Sequence, residues 1–329
     1  MSDGATPAVA ASGAAGARRM RFGFLLNLTL LGLLLLMWLL LTLSTESFAT
    51  FGNFSNLMRQ ASLFAILAVG QTFVIITAGI DLSVGAMVGL ATTIVAVLLT
   101  SGWSIPAAVI ATIAVGVAVG WLHGFGIVQL RLPPFIMTLA SMTALRGIGL
   151  LITGGQTIGG MPLAFGRFSR ESVLGIPDLF LAVIAVAIPS YVLLHHSRWG
   201  RYLYAVGSNR EAARLSGVKV NRTIYLAYIL SAGLAALVGV LTASRIGIGV
   251  ATTGEGWELQ AIASSVIGGA SLFGAVGSVA GPLLGAILLT TINNGANLLN
   301  VNPFWQRIIT GGLIILIVYF DQLRRTRRV

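Results

Sequence analysis

Phe22-Gly23-Phe24-Leu25-Leu26-Asn27-Leu28-Thr29-Leu30-Leu31-Gly32-Leu33-Leu34-Leu35-Leu36-Met37-Trp38-Leu39-Leu40-Leu41-Thr42-Leu43 carries no charged residue. A helix of about 20 such residues spans a hydrocarbon core of ~30 Å. Arg18, Arg19 and Arg21 stand just ahead of it. A secretory signal shares this layout, but the run is too long for one. The following Ser44-Thr45-Glu46-Ser47 lacks a clear small-x-small cleavage site. The segment reads as a retained first membrane helix.

Working outward, nine further apolar stretches fall at about 60–78, 84–100, 105–128, 135–152, 177–195, 223–245, 259–273, 277–292 and 304–320, making ten in all. Those near 84–100, 259–273 and 277–292 are short and glycine-rich, so each is a candidate for a re-entrant or broken helix. The expected fold is all-α and polytopic, with ten spans or with eight plus a re-entrant hairpin. Composition agrees. Charged residues are 9% of the 329 and the apolar class 56%, where a soluble domain carries roughly 25% charge. Mean hydropathy is +0.93. A cytosolic enzyme of this composition could not cover its surface with polar groups. Residues 1–17, rich in Ala, Gly and Ser, are expected to form a disordered tail; 18–323 the membrane domain; and 324–329 a basic tail.

A net charge of +11 would suggest nucleic acid in a soluble chain, but the basic residues sit beside apolar segments. They cluster at Arg18/Arg19/Arg21, at Arg131, at Arg198, Arg201, Arg210, Arg214, Lys219 and Arg222, and at Arg324, Arg325, Arg327 and Arg328. Even numbers of crossings separate these clusters, so all face one side, the cytoplasm, together with both termini. Glu46, Glu171, Asp178, Glu255 and Glu258 fall in the opposite loops. Cysteine is absent, which removes disulfides, thiolate nucleophiles and Cys-ligated metals. His123, His195 and His196 build no metal site and read as loop or helix-end residues. The lone Lys219 lacks a Gly-x-x-x-x-Gly-Lys-Ser/Thr phosphate loop around it, so the chain has no visible means of binding ATP and no catalytic constellation.

Three segments carry information. The cytoplasmic insertion, residues 196–222, contains Asn209-Arg210-Glu211-Ala212-Ala213-Arg214-Leu215-Ser216-Gly217. Asn209 suits an N-cap, Glu211 the positive end of the helix dipole, and Gly217 a left-handed C′ position. This encodes a two-turn helix outside the bilayer, either a solvated connector or a docking helix with Ala212, Leu215 and Ala213 on its small-residue face. The second segment is Gly79-Ile80-Asp81-Leu82-Ser83-Val84-Gly85. An acid between apolar runs must be capped, paired or at a boundary. Asp81 or Ser83 either caps the helix starting near Val84 or belongs to a gate at a helix break. The third is the repeat Gly277-x-x-x-Gly281-x-x-x-Gly285, a smooth face for close helix packing. Asn293, Asn294 and Asn297 follow it, and bond either a solute or the backbone. Arg146 within an apolar run should face protein or snorkel outward. Polar, uncharged Gln71, Thr72, Ser83, Asn293 and Asn294 outnumber charges among the apolar runs and suit a neutral solute. Asp81 and Asn297 complete the candidate path or gate.

Gly79–Gly85 resembles the signature of the ribose-type permease family of bacterial ATP-binding-cassette importers. So do Arg201-Tyr202-Leu203-Tyr204-Ala205-Val206-Gly207, the stretch Asn209 to Val220, and Asn293-Asn294-Gly295-Ala296-Asn297-Leu298-Leu299. The resemblance covers about Asn53 to Asp321. It implies the pore-forming inner-membrane subunit of a monosaccharide (pentose or hexose) importer. Its partners would be a second permease subunit, identical or similar, a cytoplasmic ATPase holding ATP and Mg, and a periplasmic sugar-binding protein. The chain would hold no cofactor or metal and would be no enzyme. Glu211-Ala212-Ala213-x-x-x-Gly217 is similar to the coupling loop of such importers, without its later Ile-x-Leu-Pro portion. Rival readings are a permease for a nucleoside, a furanose-like signal or a branched-chain amino acid, and a self-powered secondary carrier.

Overall fold

A computed structural model describes residues 7–173 and 175–326. Among them the regular structure is helical apart from a hairpin of two two-residue strands and one isolated bridge, Ile158 with Gly249. The first five helices are α1 (Pro7–Ser44), α2 (Phe51–Ile76), α3 (Val84–Thr100), α4 (Ile105–Val128) and α5 (Pro134–Thr153). A short helix α6 (Leu163–Arg170) and the strands β1 (Ser172–Val173) and β2 (Ile176–Pro177) precede α7 (Asp178–Tyr191). After these come α8 (Arg198–Ser208), α9 (Arg210–Leu215) and α10 (Val220–Ile246), then α11 (Trp257–Ile267), α12 (Ala280–Leu298) and α13 (Pro303–Thr326).

Helices occupy all ten expected apolar stretches, and seven of them are long and apolar enough to cross a membrane. This is a multi-pass membrane protein. The Ala-rich residues 7–17, expected as part of a tail, continue α1 as helix, in keeping with alanine's top helix propensity; residues 1–6 lie outside the described part. At the other end α13 runs through 324–326, and 327–329 are not described. The boundaries follow local chemistry. Thr50 caps α2 through a bond from the Asn53 N–H. Pro134 opens α5 at a position needing no donor, and α10 stops at the left-handed Gly247. Pro189 inside α7 deletes a helix donor, and a π-helical turn, Val192–His196, follows it.

Two helices form the axis. α2 is buried along most of its length and α10 along about two thirds. Their common core joins Leu63, Phe64, Leu67, Ala232 and Ala236 to Met87, Val88 and Ala91 of α3 and to Ala261 of α11. Gly116 and Gly120 let α4 lie directly on the backbone of α10 at Ala232 and Tyr228. α1 and α13 lie at the periphery with largely exposed apolar faces, as lipid-facing helices should.

Two of the stretches flagged as short and glycine-rich are short helices. α3 has 17 residues and α11 has 11; at 1.5 Å per residue they rise only about 25 Å and 16 Å. Each is completed by irregular chain. Residues 79–83 lead into α3. Residues 249–256 run back along α3, with Gly249 against Thr92 and Ala96, Ala251 against Gly89, and Gly254 against Gly85. Such backbone is tolerable at membrane depth only inside protein or beside water. Trp257 then begins α11 packed on Phe64, near the midpoint of α2, with ring centroids 4.8 Å apart. Glu255 and Glu258, expected in an outer loop, therefore lie halfway across the bundle. The stripe Gly281/Gly285 packs α12 onto the Gly268 and Ser264 backbone of α11's end. Gly277, the first member of that repeat, precedes the helix and meets Ile76 and Thr72 instead.

Candidate functional site

The break between α2 and α3 gathers several buried polar groups in the core. Thr77 ends α2, and Ala78 takes the left-handed conformation (φ 57°) to turn the chain back inward. Asp81 and Ser83 are fully buried. The Asp81 carboxylate accepts three bonds: from the Ser83 N–H (2.9 Å), from the Ser83 hydroxyl (2.6 Å) and, on its other oxygen, from the Ser231 hydroxyl of α10 (2.8 Å). Gln71, with its amide oriented to satisfy both groups, donates to the Asp81 carbonyl (3.1 Å) and accepts from the Asp81 N–H (3.2 Å). It serves as a substitute strand for a buried, irregular residue. Thr138 of α5 donates to the Ile80 carbonyl (3.2 Å). Capping is met only in part: α3 does begin at Val84, but the Ser83 side chain makes no cap bond and Asp81 holds Ser83 rather than the helix's first turn. The acid fastens the break to α10.

His123 is not the loop or helix-end residue expected of it. It is fully buried inside α4, edge-on to Tyr228 at 6.1 Å between ring centroids. Both its nitrogens and the Tyr228 hydroxyl are buried without partners, beside the Asp81 network.

The cytoplasmic insertion follows its reading closely. Asn209 Oδ1 accepts from the N–H groups of Glu211 and Ala212 (3.0 Å each), and Gly217 is left-handed (φ 80°). Arg214 pairs with Glu211 at 2.6 Å; that contact holds the Glu211 carboxyl below its ordinary range. The face differs from expectation: Ala213 turns into the core, while Ala212 and Leu215 remain exposed, Leu215 at 74%. Residues 198–208, not anticipated as a helix, form the amphipathic α8, anchored by Leu203 and Val206.

The insertion is wired to the Asp81 break. Arg210 donates to the Thr77 carbonyl (3.4 Å). Gly207 lies so close to the Ile76 carbonyl and Ala275 N–H that a Cβ would overlap them. Ala275 N–H donates to the Ile76 carbonyl (2.9 Å), and the Tyr204 hydroxyl donates to the Gly277 carbonyl (2.8 Å). Burial pushes that phenol up to about 12.

The remaining expected path residues lie elsewhere. Thr72 donates to Ser265 of α11 (3.2 Å), joining α2 to α11. Asn294 and Asn53 exchange two bonds (3.1 and 2.8 Å), fastening α12 to α2 at the far end of the bundle. Asn297 accepts from Gln306 of α13 (2.8 Å), and Asn293 is half-buried beside them. The structure thus brings Gln71, Asp81 and Ser83 together and leaves the three asparagines apart from them. Ser231 escaped sequence reasoning, since one serine in an apolar helix looks like any other.

The family described as Branched-chain amino acid transport system / permease component matches residues 53–318. The chain belongs to this permease family. It is a component of a transport system and not an enzyme. Among its relatives, the ribose import permease protein RbsC of Bacillus subtilis (strain 168) is 40% identical over 269 residues, 81% of this chain and 84% of that one. RbsC of Escherichia coli (strain K12) is 39% identical over 274 residues, 82% and 85% of the two chains. The xylose transport system permease protein XylH of the same strain is 34% identical, covering 83% and 85%. No solved structure matches.

Proposed function

We propose that this permease forms the inner-membrane pore of an ATP-binding-cassette importer for a pentose or hexose. The observation that carries the reading is the likeness to ribose and xylose permeases over more than four fifths of both chains. The basic clusters beside α8, α9 and the two ends of the chain support a cytoplasmic side for all of them. There α9 docks on a separate ATPase, which binds ATP and Mg, through the exposed Leu215 and Ala212. A periplasmic protein delivers the sugar on the opposite side, and a second permease subunit completes the pore. The chain itself contributes no cofactor.

The contacts suggest how force travels. Closure of the ATPase pair on ATP displaces α9; Arg210, Gly207 and Tyr204 pass the displacement to the ends of α2 and of the 268–279 loop. The Asp81 break then tilts α3 against α10. ATP shifts this equilibrium only insofar as the two states hold α9 differently.

Reconstitution with the ATPase and binding protein, screened with ribose, xylose and leucine for stimulated ATP turnover, tests the proposal. Stimulation by a sugar supports it. Stimulation by leucine alone, the solute class named in the family description, overturns the sugar assignment.

A further inference from the structure

Arg146 of α5 reaches Glu255 at 3.7 Å, with side chains 27% and 68% exposed. Three residues on, Glu258 is over nine-tenths buried, and its Oε2 has no hydrogen-bond partner. That oxygen lies where a Cβ on Gly85 would stand, so a side chain there would collide with it. The Arg146 Nε is also buried and unpartnered. All of this lies beside the start of α11, level with the midpoint of α2. Charges exposed to hydrocarbon at that depth are strongly disfavoured, so such groups face protein or a water-filled cavity. The chain beside them agrees: Val250 to Gly256 is not helical, and Thr252 is exposed. Backbone of that kind is tolerated at membrane depth only where it is buried or lines water.

We infer that α5 and residues 250–260 wall the solute path, and that Arg146, Glu255 and Glu258 form a polar station halfway along it. The occupant is a neutral polyol. A guanidinium paired with one carboxylate, and a second carboxylate three residues along the chain, offer donors and acceptors to neighbouring hydroxyls, and the free Glu258 oxygen lacks only a donor. The identity of the occupant rests on the sugar reading above; the position of the path does not.

The chain contains no cysteine, so single cysteines can be placed without background. The test uses the complete importer in vesicles and a membrane-impermeant thiol reagent, with and without nucleotide. Glu255→Cys is compared with Val117→Cys, at similar depth on the exposed face of α4. Glu255→Cys should react roughly tenfold faster or more in at least one nucleotide state, because only a water-filled path admits the charged reagent. Saturating ribose should slow that reaction. Thr252→Cys, on the same edge, is read in the same way if the first variant does not assemble. Reaction no faster than at Val117→Cys in every state, in a complex that assembles with its ATPase and still turns over ATP, overturns the path and means that a second copy or lipid covers this face. Fast reaction that ribose, xylose and other sugars never slow keeps the path and removes the polyol. Absence of sugar-stimulated ATP turnover in the unmodified importer is a separate failure, of the sugar reading alone.

Discussion

Ser231→Ala probes the fastening of the helix break. Among the described residues the Ser231 hydroxyl supplies the sole bond to Asp81 Oδ2, 2.8 Å long, while Ser83 satisfies Oδ1 twice. Asp81 is fully buried, so water cannot replace the lost donor without opening the core. A hydrogen bond to a charged group contributes about 1.5–3 kcal/mol, and the substitution leaves almost no cavity. Ser231→Ala should therefore destabilise the protein by about 2 kcal/mol. In an Asp81→Ala background the same change should cost less than about 0.5 kcal/mol, because its partner is gone. Equilibrium unfolding by SDS in mixed micelles, followed by far-UV circular dichroism, measures both costs. Equal costs in the two backgrounds would show that Ser231 acts through packing alone and that the carboxylate does not tie the break to α10.

Three further outcomes are expected. Gly285→Val forces a side chain into the Ser264 carbonyl and should destabilise by at least about 1–3 kcal/mol, read by the same SDS titration. Asn209→Ala removes the cap of α9 at a cost of about 1 kcal/mol, and Leu215→Asp changes only an exposed side chain; each should lower ATPase co-purification while the permease still reaches the membrane at normal levels. Tyr204 has its phenol raised by burial to about 12, so the folded state prefers the protonated form. Its contribution is complete below the ordinary phenol value near 10 and is lost as pH rises from there through 12; Tyr204→Phe should flatten that part of the stability–pH curve.

Local signals were legible in the sequence; pairings were not. Apolar runs located ten of the helices among the described residues, and the cap pattern from Asn209 to Gly217 located α9 and its ends, because a cap is a contact between near neighbours. Asp81 marked the α2–α3 break for the same reason. The partners of these groups lie far along the chain: Ser231 is 150 residues from Asp81, and Asn53 is 241 from Asn294. A single chain carries no local trace of such pairs. The glycine-rich run at 259–273 marked α11 as a candidate broken helix, but not where it breaks, because Gly-rich apolar chain reads alike as helix or as extended segment. That concealed the depth of Glu255 and Glu258, which positive-inside counting alone assigns to an outer loop. The amphipathic α8 carried a signal, Leu203 and Val206 three apart on one face, that the surrounding arginines masked.

The central claim is that this permease moves its solute only on power delivered through α9. Uptake of labelled ribose and xylose into vesicles measures it most directly, comparing the purified chain alone with the chain joined by its ATPase and binding protein. Accumulation against a gradient should require both partners and ATP, and should vanish when any one is withheld. Uphill accumulation by the chain alone, driven by a proton or sodium gradient, would contradict the account.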